Sequence, residues 1–268
     1  MLEYPVLAGA YTLGWYLFWR YKLKKASSRI LAFHDILDKP DLSITRMSTS
    51  KFENVMAYLI SRGLRGRSIS GIKNENDIGL TFDDGWQSFY TKAFPILRKY
   101  GFTATVFIVS DYVGEKSRWD YQKKEHLSWP EVKTLTDEGI EIGSHSANHI
   151  DLRGLNDDKL EYEIIDSKKM IEDKIGRQIK YFSYPFGRFD RRVKEAIRKA
   201  GYEKAYALSI GDDEYSIARQ CIYLYDTPYS IDMKLNRGIW IEQCKDYINN
   251  SLAGGTITLR KLFPVKKI

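Results

Sequence analysis

Cysteine is nearly absent from this sequence: Cys221 and Cys244 are the only two in 268 residues, and neither belongs to a Cys-x-x-Cys pair or a repeated spacing. A disulfide scaffold and a cysteine-bound structural zinc are thereby excluded, and both residues read as packing residues. No internal repeat or low-complexity tract is present, which sets repeat architectures aside. Charge of one sign is not segregated either. Lys plus Arg outnumber Asp plus Glu by 42 to 35, giving a net charge of +7, yet acids and bases are interspersed through most of the chain. That is the pattern of a solvated surface, and no nucleic-acid partner is expected. The basic excess gathers near the ends, in Arg20, Lys22, Lys24 and Lys25 and in Arg260, Lys261, Lys266 and Lys267, positions suited to anionic head groups.

Long apolar runs are also missing. Residues 4–19 carry no charged side chain and are rich in Leu, Tyr and Trp, but the stretch falls just short of the roughly 17–25 residues a spanning helix needs. Glu3 stands where a secretory signal would place positive charge, and no small-residue cleavage site follows. A short anchor, an interfacial helix and a helix packed on the domain itself all fit the pattern. Residues 4–25 are expected to touch a membrane surface, and if they span it, the basic run at 20–25 favours the cytoplasmic face for the domain behind it.

What is present is a globular pattern. The 43% hydrophobic content can bury a full core. The chain divides into an apolar segment with a basic flank (1–27), one large domain (28–230) and a C-terminal helix with a basic tail (231–268). Short apolar runs at 30–34, 78–82, 103–109, 140–144, 181–184, 204–208 and 221–225 read as strands. They alternate with stretches of helical period at 51–64, 86–100, 129–138, 157–175 and 191–200, and 239–249 reads as a further helix. Such alternation is the signature of repeated βα units, here an α/β fold with a distorted (β/α) barrel of about seven strands. Ser128 with Glu131 makes a capping box, Asn156 and Asp190 suit N-cap positions, and Gly101, Gly139, Gly176 and Gly201 follow helix ends.

In such folds the reactive groups collect at the C-terminal strand ends. His34 and Asp35 follow the first strand, Asp83 and Asp84 the second, His145 and His149 the fourth, and a Tyr-Pro-Phe-Gly turn the fifth. An isolated Asp-Asp pair often does no more than cap the next helix, and a lone His-x-x-x-His is a weak signal. Together, Asp84, His145 and His149 make a two-histidine, one-carboxylate set with positions left for water and substrate, the layout of a catalytic rather than a structural zinc.

Residues 81–85 (Thr-Phe-Asp-Asp-Gly), 145–149 (His-Ser-Ala-Asn-His) and 182–187 (Phe-Ser-Tyr-Pro-Phe-Gly) resemble, in order and separation, three motifs of the polysaccharide deacetylase family, carbohydrate esterase family four. The resemblance covers roughly residues 30–225 and implies a deacetylase acting on N-acetylated saccharides. Asp84, His145 and His149 would bind a divalent ion, usually Zn2+, with Co2+, Ni2+ or Mn2+ as alternatives. Asp83 would be the general base for attack of metal-bound water on the acetamide carbonyl, and the Tyr184-Pro185-Phe186 turn would serve the substrate, with the Phe186 N–H facing the oxyanion.

Two departures matter. Ser183 stands where many relatives carry an arginine that orients the base, and Thr258-Leu259-Arg260 offers no histidine where relatives place their acid. Phe33-His34-Asp35 resembles instead the branch whose acid histidine follows the first strand. His34 is then the candidate acid, with Asp35 to orient it. Arg219 either replaces the missing guanidinium near Asp83 or sits at a surface or strand edge. His126 reads as a loop residue. Trp86, Trp119 and Trp129 read as core packing rather than sugar-stacking faces, Phe186 as the exception. A non-catalytic carbohydrate-binding relative and a hydrolase of non-sugar amides are the competing readings.

Overall fold

Strand β5 (Asp77–Phe82) is buried at every position, as a strand covered on both faces of a parallel sheet must be. Around it, a computed structural model describes residues 29–39, 43–117, 123–208 and 213–235. Strands β1 (Ile30–Phe33), β6 (Thr105–Ile108), β7 (Glu141–Ser144), β8 (Tyr181–Ser183) and β9 (Lys204–Ala207) join β5 in one parallel sheet in the order β9-β8-β7-β6-β5-β1. A short β4 (Arg65–Arg67) pairs with the start of β5, and β2 (Asp35–Ile36) with β3 (Arg46–Met47) forms a separate two-stranded pair.

The segment 217–221 brings the two edges of that sheet together. Its first half, β10 (Ile217–Ala218), pairs with β9, and its second half, β11 (Gln220–Cys221), pairs with β1. Seven parallel strands thus nearly close into a distorted (β/α) barrel, the expected fold. The closing strand is a correction: the apolar run at 221–225 suggests a strand there, whereas pairing ends at Cys221. Residue Arg219, between the two halves, is 3% exposed.

Helices cover the outside. Helix α1 (Thr49–Ser61) buries Phe52, Val55, Met56 and Leu59, one face at helical spacing, against Phe33 and Phe82 of the sheet. The next helical stretch opens with a π-helical turn (Phe89–Ala93) before α2 (Phe94–Lys99). Helix α3 (Trp129–Asp137) starts in the expected capping box, the Ser128 N–H donating to Glu131 Oε2 at 2.8 Å. The stretch 157–175 is not one regular helix: α4 (Asp157–Glu161) and α5 (Ser167–Ile175) are joined by a π-helical turn, Tyr162–Asp166. Asn156 and Asp190 cap α4 and α6 (Arg191–Lys199), accepting from the N–H groups of Lys159 and Val193. Gly176 ends α5 in the left-handed conformation (φ 68°).

Helix α7 (Pro228–Leu235) crosses the expected boundary at 230 and buries Ile231 and Leu235. Its Lys234 ammonium, also buried, donates to Cys221 O at 2.7 Å and to Asp226 at 2.8 Å, tying the helix to the barrel seam. Among the described residues no helix is long and apolar enough to cross a membrane. The apolar segment 4–25, Trp119, Cys244, the helix expected at 239–249 and the basic tail lie outside the described residues.

Candidate metal and catalytic site

The polar strand ends meet at one mouth of the barrel. At the end of β5 the Asp83 N–H still donates to Phe33 O (3.0 Å), after which Asp84 and Gly85 both take positive φ, 71° and 67°. A left-handed aspartate costs free energy unless neighbours hold it. Two do. Trp86 Nε1 donates to Asp84 Oδ2 at 3.0 Å, and His126 Nδ1 lies 3.0 Å from the Asp84 carbonyl oxygen, an acceptor that requires the proton on Nδ1. His126 is therefore no plain loop residue. It is buried, its ring centroid is 4.3 Å from that of Trp86, and burial pushes its pKa down to about 4.

His145 continues the line of β7, its N–H donating to Ile108 O at 2.8 Å. Its Nδ1–H donates to Ser183 O at 2.7 Å, which fixes the tautomer and turns the Nε2 lone pair toward Asp84. Burial pushes its pKa down to about 4, so at neutral pH it is the uncharged imidazole that a metal needs. Asp84 Oδ1 faces His149 Nε2 at 3.3 Å and His145 Nε2 at 3.5 Å, and makes no well-formed hydrogen bond although it is buried. Burial opposes its charge, yet His149 and the other histidines around it hold its pKa far below the usual carboxylate range. One ligand atom from each of Asp84, His145 and His149 lies within 4.8 Å of the others. An ionised carboxylate, neutral imidazoles and a buried oxygen without a good donor together fit a divalent cation.

Asp83 is held differently. Arg219 Nη1 donates to Asp83 Oδ1 at 2.8 Å and Nη2 to Oδ2 at 2.7 Å, a two-pronged pair that is almost wholly buried. The same guanidinium reaches Thr81 Oγ1 (3.0 Å) and Ser183 Oγ (2.7 Å) and lies over the Phe107 ring at 5.2 Å. Burial pushes the Asp83 pKa up, but Arg219, with His145 and His34 nearby, more than reverses this and holds the carboxyl below its ordinary value. Of the two readings of Arg219, the structure has the one beside Asp83. The small Ser183 leaves room for a guanidinium that arrives from the closing strand.

His34 follows β1 at the same mouth, half-buried, with a buried Nδ1 that makes no hydrogen bond. Asp35 does not orient it: its carboxylate accepts from Ser88 Oγ at 2.6 Å and pairs with Lys124 at 3.1 Å, because the side chain after His34 in an extended segment points the other way. Tyr184 is a second correction. Its side chain is buried, its hydroxyl donates to Tyr215 O (2.7 Å) and its N–H to Tyr206 O (3.0 Å), so neither group is offered to a substrate. Pro185 is buried in the same turn, and only Phe186 touches the site, its ring 4.6 Å from that of His149. Among the described residues, the four non-glycine residues with positive φ are Asp84, Ser146, His149 and Phe186, all at this mouth.

The sequence model of the polysaccharide deacetylase family matches residues 70–205, which include Asp83, Asp84, His145, His149 and Phe186. The chain belongs to that family. A putative polysaccharide deacetylase of Bacillus subtilis, YxkH, is 31% identical over 189 residues, 67% of this chain and 64% of that protein. A peptidoglycan-N-acetylglucosamine deacetylase of Bacillus cereus is 34% identical over 131 residues, 48% of this chain and 55% of its own. The chain thus spans between about half and two-thirds of the length of these relatives. Among solved structures, the deacetylase PplD of Streptococcus pyogenes has the same fold, with TM-score 0.68 at 20% identity, covering 77% of this chain and 96% of that one. A polysaccharide deacetylase of Bacillus cereus superposes with TM-score 0.66 at 25% identity over 77% of this chain and 68% of its own.

His34 and Arg219 lie outside the span matched by the family model. Trp86 and His126, which hold Asp84, gave no sequence signal as site residues beyond Trp86 standing two positions after Asp84.

Proposed function

We propose that this chain is a metal-dependent hydrolase that removes N-acetyl groups from N-acetylhexosamine units of a glycan or a lipid-linked saccharide. One observation carries the reading: Asp83, kept ionised by the Arg219 pair, stands next in the chain to Asp84 of the Asp84-His145-His149 set, a base beside a metal site. Relatives named as peptidoglycan N-acetylglucosamine and poly-β-1,6-N-acetylglucosamine deacetylases support a sugar acetamide as the substrate. The uncharged stretch 4–19 and the basic run behind it support a membrane-proximal one.

A divalent ion held by Asp84, His145 and His149, most simply zinc, would acidify water and polarise the acetamide carbonyl. Asp83 then takes a proton from the attacking water, and Arg219 keeps its carboxylate fixed while it does so. Ser183 and Thr81 hold the guanidinium in turn. His34, a half-buried imidazole at the same mouth, gives a proton to the departing amine, so that amide and water become acetate and a free amino sugar. The left-handed turn at Phe186, with its ring against His149, supports its backbone N–H as the donor to the carbonyl oxygen.

Purified protein with zinc and short N-acetylglucosamine oligomers is expected to release acetate, and a chelator to stop it. No acetate from the zinc-loaded protein, or turnover that survives chelation, would sink the proposal.

A further inference from the structure

Past His145, whose N–H still donates to Ile108 O, the amides of residues 146–149 leave the sheet ladder, and side chains meet all four in a row. The Ser146 N–H donates to Ser144 Oγ (3.2 Å) and the His149 N–H to Ser146 Oγ (3.0 Å). The two between, Ala147 and Asn148, both donate to one oxygen, Glu163 Oε2, at 3.0 and 2.9 Å. Asn148 Nδ2 adds a third bond, to Glu163 Oε1, at 3.1 Å. Glu163 is 3% exposed. A glutamate is almost never buried so deeply unless its oxygens are satisfied, and here they are satisfied by this loop.

The position of Glu163 follows from an irregularity. It sits in the π-helical turn Tyr162–Asp166, where the wider turn leaves Tyr162 exposed and sends Glu163 inward. One turn later Ser167 Oγ lies 2.8 Å from Ser144 Oγ, a second tie between this helical segment and the base of the loop. The loop so held contains two left-handed residues, Ser146 (φ 67°) and His149 (φ 51°). His149 adopts that conformation with its Nε2 3.3 Å from Asp84 Oδ1.

We infer that Glu163 is a positioning residue for the metal site: by accepting the Ala147 and Asn148 amides it fixes the loop in the strained form that aims His149 at the cation. The inference rests on the metal-site reading above. Removing the acceptor leaves the buried Ala147 N–H and the half-buried Asn148 N–H unmet, and the loop regains them only by turning toward solvent, which carries His149 away from Asp84. A glutamine keeps one oxygen for the two amides, while the Asn148 amide turns over to accept from the new NH2 group.

The test is direct zinc binding by competition with a chromogenic chelator, with no substrate present. Glu163→Met fills the same space without an acceptor and is expected to weaken zinc binding by about 10–100-fold. Glu163→Gln stays close to the parent, and excess zinc restores acetate release in Glu163→Met. A lower thermal midpoint with unchanged zinc affinity in Glu163→Met would overturn the inference, as would a loss in Glu163→Gln as large as in Glu163→Met. Hydrogen exchange on the unaltered, metal-free chain needs no variant: the Ala147 and Asn148 amides are expected to be protected, and exchange at the free-peptide rate would also overturn it. Absence of zinc binding by the unaltered chain would instead sink the metal site itself.

Discussion

Asp83 and Asp84 are adjacent and both buried, but the regions around them are built in opposite ways. On the Asp83 side every partner stands on or beside a barrel strand: Thr81 on β5, Ser183 on β8 and Arg219 between β10 and β11. On the Asp84 side His145 directly follows β7, but Trp86, His126 and His149 stand on loops, and the backbone is left-handed at Asp84, Ser146, His149 and Phe186. The first carboxylate receives its cation from the chain itself. The second has an oxygen that faces two imidazole nitrogens, 3.3 and 3.5 Å away. A base must stay ionised without being consumed as a ligand, whereas a ligand must keep an oxygen open. In the proposed roles, one peptide bond separates the two solutions, with strands serving the base and left-handed loops the metal.

The largest effects come from exchanging the two roles. Asp83→Asn is expected to lower acetate release by about 10²–10⁴-fold while zinc affinity stays near that of the parent, and Asp84→Asn to lose both. Zinc binding by equilibrium dialysis beside the acetate assay checks the pair. Equal loss of zinc in both variants would break the division.

The next largest is a matter of stability. Arg219→Ala leaves a buried carboxylate without its partner, at a cost of about 3–5 kcal/mol in unfolding free energy. The pH dependence has a definite sign. With Arg219 the folded-state pKa of Asp83 lies below its ordinary value of 3.8, so the pair stabilises the fold above that pH and is lost as the pH falls through the depressed value. Without Arg219 burial loses its strongest opponent and pushes the pKa up, so the variant recovers relative stability once Asp83 is protonated. Urea unfolding at pH 7 and near pH 4 should show the gap between the two proteins narrowing with acid. A gap independent of pH would show that Arg219 stabilises the seam by packing alone.

The same contrast explains what could be read in the chain. His34, Asp83 and His145 were legible because they stand at the ends of strand-like runs, where a barrel gathers chemistry, Asp84 because it adjoins Asp83, and His149 because it lies four residues after His145. Helix caps were legible because they depend on local spacing. The closing strand was not: Ile-Tyr-Leu at 222–224 reads as a strand, whereas the paired segment holds Arg219, whose charge hides that it faces the interior. Asp35 and Tyr184 fell into motif-like positions, but strand alternation and a buried hydroxyl contact turn them elsewhere. Glu163 was hidden for another reason, since a π-helical turn shifts side-chain direction with no mark in the hydrophobic pattern.

The smallest effect is expected from Trp86→Phe, and it separates the two regions most cleanly. Trp86 is 3% exposed and touches the site through one polar atom, Nε1, which donates to Asp84 Oδ2 at 3.0 Å. Phenylalanine keeps an aromatic face for the Lys124 ammonium, now 5.3 Å from the Trp86 ring, while it removes the donor and part of the ring surface beside His126. Oδ2 is then less well held, and zinc affinity should fall by about 10-fold, the low end for a residue that orients a ligand. None of the Asp83 contacts involves Trp86, so the rate at saturating zinc should return to that of the parent. Acetate release measured across a zinc titration distinguishes a shifted midpoint from a lowered plateau. A lowered plateau would mean that Trp86 acts on the substrate as well as on Asp84, and that the mouth is not divided at the Asp83–Asp84 bond.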